Sequence, residues 1–414
     1  MVLRPSTLPT DLVQAGSMHI LVFNCGSSSL KFELIEIQEQ CGQPANARRL
    51  AHGIFEEIGP RASIRMSDEK GHQLEQPEHI ADHKTAALRV IDWLEQVGGT
   101  TIDAVAHRIV HGGEHVTEPA LATDAIMSEL DKASQFAPLH NPPAIAVIRA
   151  LSEKLPDIPA VIVTDTGFHR SLSPAARNYA IPRSLAERYG IRRFGFHGIG
   201  HAWMLERCAA MRATAPEKLN LITLHLGAGC SATAIKQGRS VDTSMGLTPL
   251  EGLMMGTRSG DIDSAIFSFL AARERLSPDQ VERILNHESG LLGVSGISGD
   301  MREILAEAEQ NQLAALAIDM FCYRVRKYVG AYMAVLGHTD AIVFGGGIGE
   351  HSDSVRERVC SGLEPLGIIV DPERNRGANG REACISEEHS PTAVYVVQLN
   401  EEFYIARAAT RLLS

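Results

Sequence analysis

The chain has 414 residues, with 39 Lys and Arg against 50 Asp and Glu, so its formal net charge is −11. With 44% hydrophobic and 21% charged residues, the composition is that of a packed globular protein and excludes a disordered or collagen-like chain. The acidic balance argues against a nucleic-acid partner, because neutralising phosphates needs excess Lys and Arg. No apolar run approaches the ~20 residues that span a bilayer, so we expect no membrane partner.

The cysteine content indicates the cellular compartment, and the chain length indicates the number of domains. The seven cysteines are scattered and never in CxxC spacing. This favours a reducing compartment over a disulfide framework or a zinc site, and we predict a cytoplasmic protein. Residues 1–17 lack the apolar core of a signal peptide, so we interpret them as a flexible leader or a cloning remnant. At ~100–200 residues per domain, the remaining length indicates two domains.

The first half of the chain alternates predicted strands and helices. We expect a strand at His19–Phe23, a turn of small residues at Asn24–Ser29, and a second strand at Leu30–Ile37 whose apolar and polar residues alternate. The elements predicted next are a helix at His83–Val97, a strand at Ala104–Val110, a helix at Pro143–Leu155 and a strand at Ala160–Val163.

The second half opens in the same way. A predicted strand at Leu219–Leu226 ends in Gly227–Gly229 and is followed by a return strand at Cys230–Lys236. The helices predicted after it are Asp263–Arg275, Asp300–Glu309, Gln312–Leu336 and, at the C-terminus, Glu401–Leu412. Between the last two, a strand at Ala341–Phe344 runs into a glycine-rich loop at Gly345–Glu350.

One pattern occurs twice. A strand, a turn of small residues and a second strand lie at Ile20–Ile37 and again at Leu221–Val241. This repetition predicts a duplicated α/β domain in which each copy contributes a phosphate-holding loop. The alternative is that the Gly/Ser turns only connect strands. Three such loops, edged by Asn, His or Glu, favour nucleotide binding.

Several familiar motifs are missing or misplaced. The sequence has neither GxxxxGK[ST] nor a GxGxxG after a strand, which argues against a P-loop enzyme and a dinucleotide fold. His111-Gly-Gly-Glu114-His115 matches the HxxEH metalloprotease pattern, which requires a helix. Each of its two glycines costs a helix ~1 kcal/mol relative to Ala. We therefore predict a loop there and no zinc site.

Five separate segments together resemble the acetate kinase family, from about Met18 to the C-terminus. These segments are Asn24–Lys31, His107–Gly113, Ala137–Pro142, Arg193–Gly198 and Met245–Asp263. The resemblance implies an α/β fold of two duplicated actin-like (ribonuclease H-like) domains with an interdomain ATP cleft. It places the domains at residues 18–165 plus 399–414 and at residues 166–398. It also implies a homodimer and the reaction ATP + acetate ⇌ acetyl phosphate + ADP, by direct in-line transfer.

The resemblance assigns the catalytic groups. Arg108 would contact the acetate carboxylate and Arg258 the transferring phosphoryl group, roles that suit a planar guanidinium. Taken singly, each could be an ordinary ion-pair arginine. His197, at the start of a helix, would donate to phosphoryl oxygens, with a capping or core histidine as the alternative. Asp165 completes the set. Because acetate is ionised near neutral pH, we expect Asp165 to orient Mg²⁺ or water rather than to take a proton.

The resemblance also assigns the binding groups. Mg²⁺, or Mn²⁺ in its place, would be held by Asn24 and Glu401, although Glu401 could instead be only a helix N-terminal charge worth ~0.3–1 kcal/mol. The methyl group of acetate would meet Val110, Leu139, Phe196 and Pro249. ATP would be held by Lys31, His225, Leu226, Gly227, Ala228, Gly229, Asp300, Met301, Arg302, Gly347, Ile348, Gly349, Glu350 and His351, where glycines allow close backbone approach.

The chain departs from the family pattern at three positions. Ala228 and His351 stand where the family usually has Asn, and Leu399 where it usually has Thr. We expect the loss of the amide at position 228 to weaken ATP binding or to change nucleotide preference. The rival interpretations are a propionate or butyrate kinase on the same scaffold and a non-catalytic actin-like nucleotide switch. The switch would not need Arg108, Arg258 and His197 together.

Overall fold

The computed structural model of the protein describes residues 16–40, 43–98 and 101–414. Residues 1–15 of the predicted leader, and Cys41, lie outside the described residues, whereas Ser17 already belongs to the first strand. The chain divides into two compact units. The first unit comprises the chain up to Gly167 together with Asn400–Ser414, and the second unit is Phe168–Leu399.

The first unit contains one mixed sheet and its helices. Its strands are β1 (Ser17–Cys25), β2 (Leu30–Gln40), β3 (Gln43–Glu56), β4 (Ala62–Asp68), β5 (Gln73–Glu78), β6 (Ala104–Ile109), β7 (Ala120–Leu121) and β8 (Ala160–Thr164). Its helices are α1 (His83–Gln96), α2 (Asp124–Ala133), α3 (Asn141–Lys154) and, from the end of the chain, α15 (Glu401–Leu413).

The second unit contains another mixed sheet and more helices. Its strands are β9 (Asn220–Leu226), β10 (Cys230–Lys236), β11 (Arg239–Thr243), β12 (Ala341–Gly345), β13 (Ala383–Cys384) and β14 (Ala393–Val396). Its helices are α4 (Pro174–Arg177), α5 (Arg183–Tyr189), α6 (Gly198–Met211), α7 (Ala265–Glu274), α8 (Pro278–His287), α9 (Gly290–Ser295), α10 (Met301–Glu307), α11 (Gln312–Leu336), α12 (Gly346–His351), α13 (Asp353–Cys360) and α14 (Pro372–Gly377).

The two sheets share one topology. The first has the strand order β5-β4-β3-β2-β1-β6-β8-β7, and the second has β11-β10-β9-β12-β14-β13. In each, the first three strands pair antiparallel in succession, a later strand pairs in parallel with the first of them, and one further strand pairs in parallel with that later strand. The strand repeat in the sequence therefore marks a structural duplication, and the predicted duplicated α/β architecture is confirmed.

Strand β1 lies in the centre of the first sheet and is buried on both of its faces. Leu21 and Phe23 belong to an apolar core that they share with α1 and α3. The intervening Ile20 and Val22 are also fully buried, and α15 packs against the same strand. A strand covered on both faces reads as a continuous apolar run, which is what His19–Phe23 shows. The C-terminal helix is thus part of the first unit.

The predicted strands and helices are confirmed within one to three residues, but other parts of the chain differ from the prediction. The glycine-rich segment after β12 forms the short helix α12 instead of the predicted loop. The elements that were not predicted include strands β3 to β5, β7, β13 and β14 and helices α2, α4, α5, α8, α9, α13 and α14. The hydrophilic sequences of β4 and β5 fit an antiparallel extension of the sheet, where one face is solvated and apolar runs are short.

The HxxEH segment follows β6 as a loop, as predicted. Among residues 16–40, 43–98 and 101–414, no group of three or more His, Cys, Asp or Glu side chains is arranged to hold a metal ion. Six cysteines in this part of the chain are free thiols. None of its helices combines the length and the apolar character that a membrane span needs.

Candidate active site

In the first unit, three parallel strands end beside one another, and each brings a polar side chain. Asn24 lies near the end of β1, directly beside Arg108 of β6 in the strand register, and Asp165 follows β8. The carboxyl ends of parallel strands meet at one edge of a sheet, where α/β proteins place their functional groups. The structure therefore brings together three of the predicted site residues.

Arg108 is held by its neighbours on three of its N–H groups. Its Nε lies 3.1 Å from Asp165 Oδ1, its Nη2 2.6 Å from Asp165 Oδ2, and its Nη1 2.9 Å from Asn24 Oδ1. Asp165 is only 1% exposed. Burial opposes the charge of Arg108, but Asp165 and Glu401 outweigh it and raise the pKa of the guanidinium. Arg108 therefore keeps its charge.

Helix α15 adds two carboxylates to this cluster. Glu401 Oε2 lies 3.7 Å from Arg108 Nε, and Glu402 Oε1 accepts a hydrogen bond of 3.1 Å from Asn24 Nδ2. The two predicted metal ligands, Asn24 and Glu401, therefore meet around Arg108 although they come from opposite ends of the chain. Glu402 was not predicted, although Glu402 lies beside Glu401 in the first turn of the helix.

The other predicted residues of the first unit lie near this edge or on its turns. Lys31 is exposed at the start of β2 and pairs with Asn24 in the strand register. Val110 follows β6, two residues beyond Arg108, and is partly exposed. Leu139 lies in the turn before α3 and is 59% exposed.

In the second unit, His197 and Arg258 converge on one glycine. His197 caps helix α6 with a left-handed backbone, φ 56°. A methyl group built on Gly229 would lie 3.3 Å from His197 Cε1 and 3.5 Å from Arg258 Nη1. Two nitrogen-bearing side chains and the glycine of a strand turn thus surround one small space. An anionic oxygen could accept hydrogen bonds there.

Arg258 has surroundings unlike those of Arg108. Its Nη1 donates to the Pro249 carbonyl at 3.2 Å, and no carboxylate in the described part of the chain lies within ion-pair distance. Burial lowers the pKa of its guanidinium, and only the Cys230 thiol acts in the other direction. A partly buried cation without a counter-ion is costly unless an anion binds to it.

The predicted ATP-binding segments take three forms. His225–Gly229 is the end of β9 and its tight turn, in which the Gly227 amide donates to the Gly229 carbonyl at 3.1 Å. Asp300 caps α10 and pairs with Arg302, which is 88% exposed at the surface. Gly347–His351 lies in α12.

The Glu350 side chain faces inward. Its Oε1 accepts from the Gly346 amide at 2.9 Å and from the Leu399 amide at 3.1 Å, and the residue is 9% exposed. The carboxylate therefore holds the backbone of α12 instead of offering its charge to phosphates. His351, which replaces the usual Asn, lies beside Gly380, where a built methyl group would meet its Cε1 at 3.1 Å.

The two predicted pocket residues of the second unit differ in exposure. Pro249 is partly exposed and supplies the carbonyl that Arg258 contacts. Phe196 is 1% exposed, and its carbonyl accepts from His169 Nε2 at 3.1 Å. The sequence analysis also missed Ser231, whose Oγ lies 2.9 Å from His197 Nδ1.

Comparison with known proteins assigns the chain. The model of the acetokinase family matches residues 19–407, nearly its whole length. The chain belongs to the acetokinase family. It is 42% identical over 398 residues to the acetate kinase of Oceanobacillus iheyensis, covering 95% of this chain and 98% of that relative. The resemblance stated from the sequence motifs is confirmed.

Solved structures of acetokinase-family proteins share the fold. The crystal structure of Porphyromonas gingivalis acetate kinase superposes with a TM-score of 0.89 at 37% identity, covering 96% of this chain and all of that one. A propionate kinase from Francisella tularensis gives 0.86 at 36% identity, covering 94% of this chain and 98% of that one. These proteins have the actin-like ATPase fold, so the predicted fold class is confirmed. Members of the family are phosphotransferases that use ATP and a carboxyl acceptor.

Proposed function

We propose that this acetokinase-family protein catalyses ATP + acetate ⇌ acetyl phosphate + ADP. The observation that carries the proposal is Arg258, a partly buried cation beside His197 and the Gly229 turn that no carboxylate of residues 16–40, 43–98 and 101–414 contacts. Phosphoryl transfer depends on positioning and on stabilising charge at the transferring group. Arg258 and His197 supply donors for that charge.

Arg108 suits the acceptor carboxylate. A guanidinium has five N–H donors, and the bonds to Asp165 and Asn24 use three of them. One N–H on Nη1 and one on Nη2 remain, which is the pair that a carboxylate accepts bidentately. The acetate oxygen attacks as it is, because the acid is already ionised. Asp165 therefore serves to orient Arg108, and no base is needed.

The carboxylate cluster of the first unit fits a divalent cation. Three carboxylates, Asp165, Glu401 and Glu402, lie in the cluster around Arg108 and Asn24, and carboxylate oxygens are ligands that Mg²⁺ takes. Mg²⁺ is commonly held by one or two protein oxygens together with water and substrate phosphates, so a three-ligand protein cage is not required. Asn24 and Glu401 would hold Mg²⁺ or Mn²⁺, which when bound neutralises phosphate charge.

ATP would be bound by the backbone of three segments, with Lys31 as an exposed cation for its phosphates. The segments are His225–Gly229, Asp300–Arg302 and Gly347–His351. The glycines at 227, 229, 347 and 349 allow main-chain amides to approach phosphate or ribose closely. Glu350 would support α12 from behind instead of contacting the nucleotide. Val110, Leu139, Phe196 and Pro249 would surround the methyl group of acetate.

Trapping the acyl phosphate with hydroxylamine tests the reaction directly. The purified protein is incubated with ATP, Mg²⁺ and acetate, propionate or butyrate, and the hydroxamate is measured. The highest kcat/KM with acetate supports the proposal. A higher value with propionate supports the rival substrate, which the 36% identity to a propionate kinase makes worth testing. No hydroxamate with any acid would support the non-catalytic nucleotide switch.

A homodimer is part of the proposal. Helix α7 has an apolar sequence, AIFSFLAARE, yet none of its residues is buried. Phe269 is 59% exposed, and Ile262 and Ile266 about the helix start are 40% and 38% exposed. A contiguous apolar face of this kind is typical of a protein interface, and a second copy would cover it. Light scattering should give twice the chain mass for the wild type and a monomer for Phe269→Lys. We also propose a cytoplasmic location, since ATP is the co-substrate.

A further inference from the structure

A buried row of polar side chains leads away from His197 in the second unit. In β9 and β10, Thr223 lies directly opposite Thr233, and His225 opposite Ser231, so these four side chains share one face of the sheet. Helix α6 packs against β9 and carries His201 one turn after His197. Thr223, Ser231, Thr233 and His201 are all 0% exposed. Polar groups so deeply buried require a reason.

The hydrogen bonds link three of these side chains to His197 in a continuous chain. His197 Nδ1 lies 2.9 Å from Ser231 Oγ, which lies 2.8 Å from His201 Nε2. On the other side of the same ring, His201 Nδ1 lies 2.7 Å from Thr223 Oγ1. We refer to Thr223, His201 and Ser231 as the relay. Beyond it, Thr223 Oγ1 is 3.5 Å from the Thr233 carbonyl, at the outer limit for a hydrogen bond.

The surroundings of His197 favour a neutral ring. Arg258 carries a fixed positive charge and approaches the same point above Gly229, 3.5 Å from a methyl group built there. A like charge nearby disfavours a second positive charge. His225, stacked on His197 at 4.2 Å, and His201 are also ionisable neighbours of His197. Behind His201, burial lowers the pKa of His169 to about 4, so His169 is uncharged at neutral pH.

A neutral His197 has one ring proton, and the relay decides where it lies. A buried hydroxyl proton needs an acceptor, so Ser231 donates to one ring nitrogen and accepts from the other. A neutral His201 ring has one donor and one acceptor nitrogen, so the donors then point the same way along the whole chain. If they point away from His197, the last bond is the weak 3.5 Å contact to the Thr233 carbonyl. If they point towards it, Thr223 donates to His201 Nδ1, His201 Nε2 donates to Ser231, and Ser231 donates to His197 Nδ1. His197 then carries its proton on Nε2.

We propose that the relay of Thr223, His201 and Ser231 holds His197 as the Nε2–H tautomer, so that the neutral ring donates a hydrogen bond to the transferring phosphoryl group. The relay residues are positioning residues that act through His197. This inference rests on the proposed phosphotransfer. Nε2 is the nitrogen next to Gly229, 3.5 Å from the built methyl group, where the anionic oxygen would lie. A chain of aligned donors also polarises its last member, which strengthens that final bond.

Thr223→Val removes the first donor of the relay while keeping the side-chain shape. Thr233→Val is its matched control, because Thr233 is opposite Thr223, is equally buried and hydrogen-bonds through its hydroxyl to Thr243 instead. We expect kcat of Thr223→Val to fall about five- to tenfold at pH 8.5, the scale of one net hydrogen bond. Thr233→Val should match the wild type, and Thr223→Ser, which restores a hydroxyl, should recover the activity.

The pH profile separates this role from a structural one. Below its pKa the His197 ring carries a proton on both nitrogens, so the direction of the relay no longer matters. The deficit of Thr223→Val should therefore shrink to about twofold or less at a pH low enough for ¹⁵N spectra to show both His197 nitrogens protonated. An equal deficit with the ring neutral and with the ring protonated, or the same deficit in Thr233→Val, would overturn the proposal. Should Thr223→Val fail to fold, Ser231→Ala, which interrupts the relay at its centre, takes its place with the same expected profile.

The tautomer itself can be read without turnover. Two-bond ¹H–¹⁵N correlation spectra of imidazole rings distinguish Nε2–H from Nδ1–H, and His197→Gln assigns the signal. We expect Nε2–H in the wild type and in Thr233→Val, and loss of that preference in Thr223→Val. Nδ1–H in the wild type would overturn the relay even in an active enzyme. If instead the tautomer is as expected and no acyl phosphate forms, the proposed function fails and the relay does not.

Discussion

Arg108 in the first unit and Arg258 in the second have opposite electrostatic surroundings. Arg108 donates through Nε and Nη2 to both oxygens of Asp165 and lies 3.7 Å from Glu401, so carboxylates compensate its charge. Arg258 has no carboxylate within ion-pair distance in the described part of the chain, and its neighbours are His197 and a glycine turn. One unit therefore suits a cation and the other suits an anion.

The difference lies between two units with the same sheet topology, in which three antiparallel strands are joined by two parallel ones. The reaction proposed here needs a cation to neutralise phosphates, and it also needs donors that become fully engaged only in the transition state. A counter-ion beside Arg258 would already satisfy that donor before substrate binds. Its absence keeps the charge available.

The largest expected effect concerns stability in the first unit. Arg108→Ala should lower the free energy of unfolding by about 3–5 kcal/mol, because it removes the guanidinium that contacts both oxygens of the buried Asp165 carboxylate. The acetate KM should rise as well. Arg65→Ala, which breaks an exposed pair with Glu56 in the same unit, should cost no more than about 1 kcal/mol.

Urea unfolding of the three proteins measures these differences. The double variant Arg108→Ala/Asp165→Asn should recover part of the loss, since the uncompensated charge is then gone. A loss no larger than that of Arg65→Ala would mean that the Arg108 cluster is not the tight ion pair described above.

The second effect concerns catalysis in the other unit. Arg258→Ala should lower kcat by roughly 10²–10³ with little change in acetate KM, the scale of one donor that acts mainly in the transition state. Its free energy of unfolding should stay near the wild-type value, because no carboxylate loses a partner. Steady-state kinetics measure kcat and the acetate KM, and urea unfolding measures the free energy of unfolding. A near-normal kcat in Arg258→Ala would mean that Arg258 does not stabilise the transition state.

The third effect concerns the cation site. Glu401→Gln should raise the Mg²⁺ concentration needed for half-maximal activity about tenfold, the scale expected when one ligand charge is lost. Glu402→Gln keeps the hydrogen bond that accepts from Asn24 and serves as the matched control from the same helix turn. A larger effect in Glu402→Gln than in Glu401→Gln would indicate that Glu402, and not Glu401, is the metal ligand.

The sequence predicted the parts of this comparison that local patterns encode. Alternating and continuous apolar runs predicted the paired strands of both units, and their repetition predicted the duplication. Asn24 and Glu401 were expected together because separate motifs at the two chain ends resembled one family. Structure then placed both around Arg108.

The contacts that the sequence could not predict depend on distant partners. Arg108 and Asp165 are 57 residues apart, and no local pattern indicates that both carboxylate oxygens accept from one guanidinium. The glycines of Gly346–His351 disfavour a helix, yet α12 forms because Glu350 accepts from the Gly346 amide and Arg356 donates to the Gly349 carbonyl. These side-chain hydrogen bonds to the backbone override the low helix propensity of the glycines.

The smallest expected effect concerns acyl size and asks whether the first unit also sets specificity. Val110 lies two residues beyond Arg108 and is partly exposed, so a carboxylate bound by Arg108 would bring its alkyl group near this side chain. A β-branched side chain is stiff and forms a firm wall. Discrimination per methylene in such pockets is about 1–3 kcal/mol, so propionate should be a weaker substrate and not an excluded one.

Val110→Ala should narrow the acetate-to-propionate ratio of kcat/KM by about threefold to tenfold. Val105→Ala makes the same change at a buried position of the same strand, and should lower stability while leaving the ratio unchanged. An unchanged ratio in Val110→Ala would mean that this side chain only packs the end of β6, and that the acyl pocket is built from other residues.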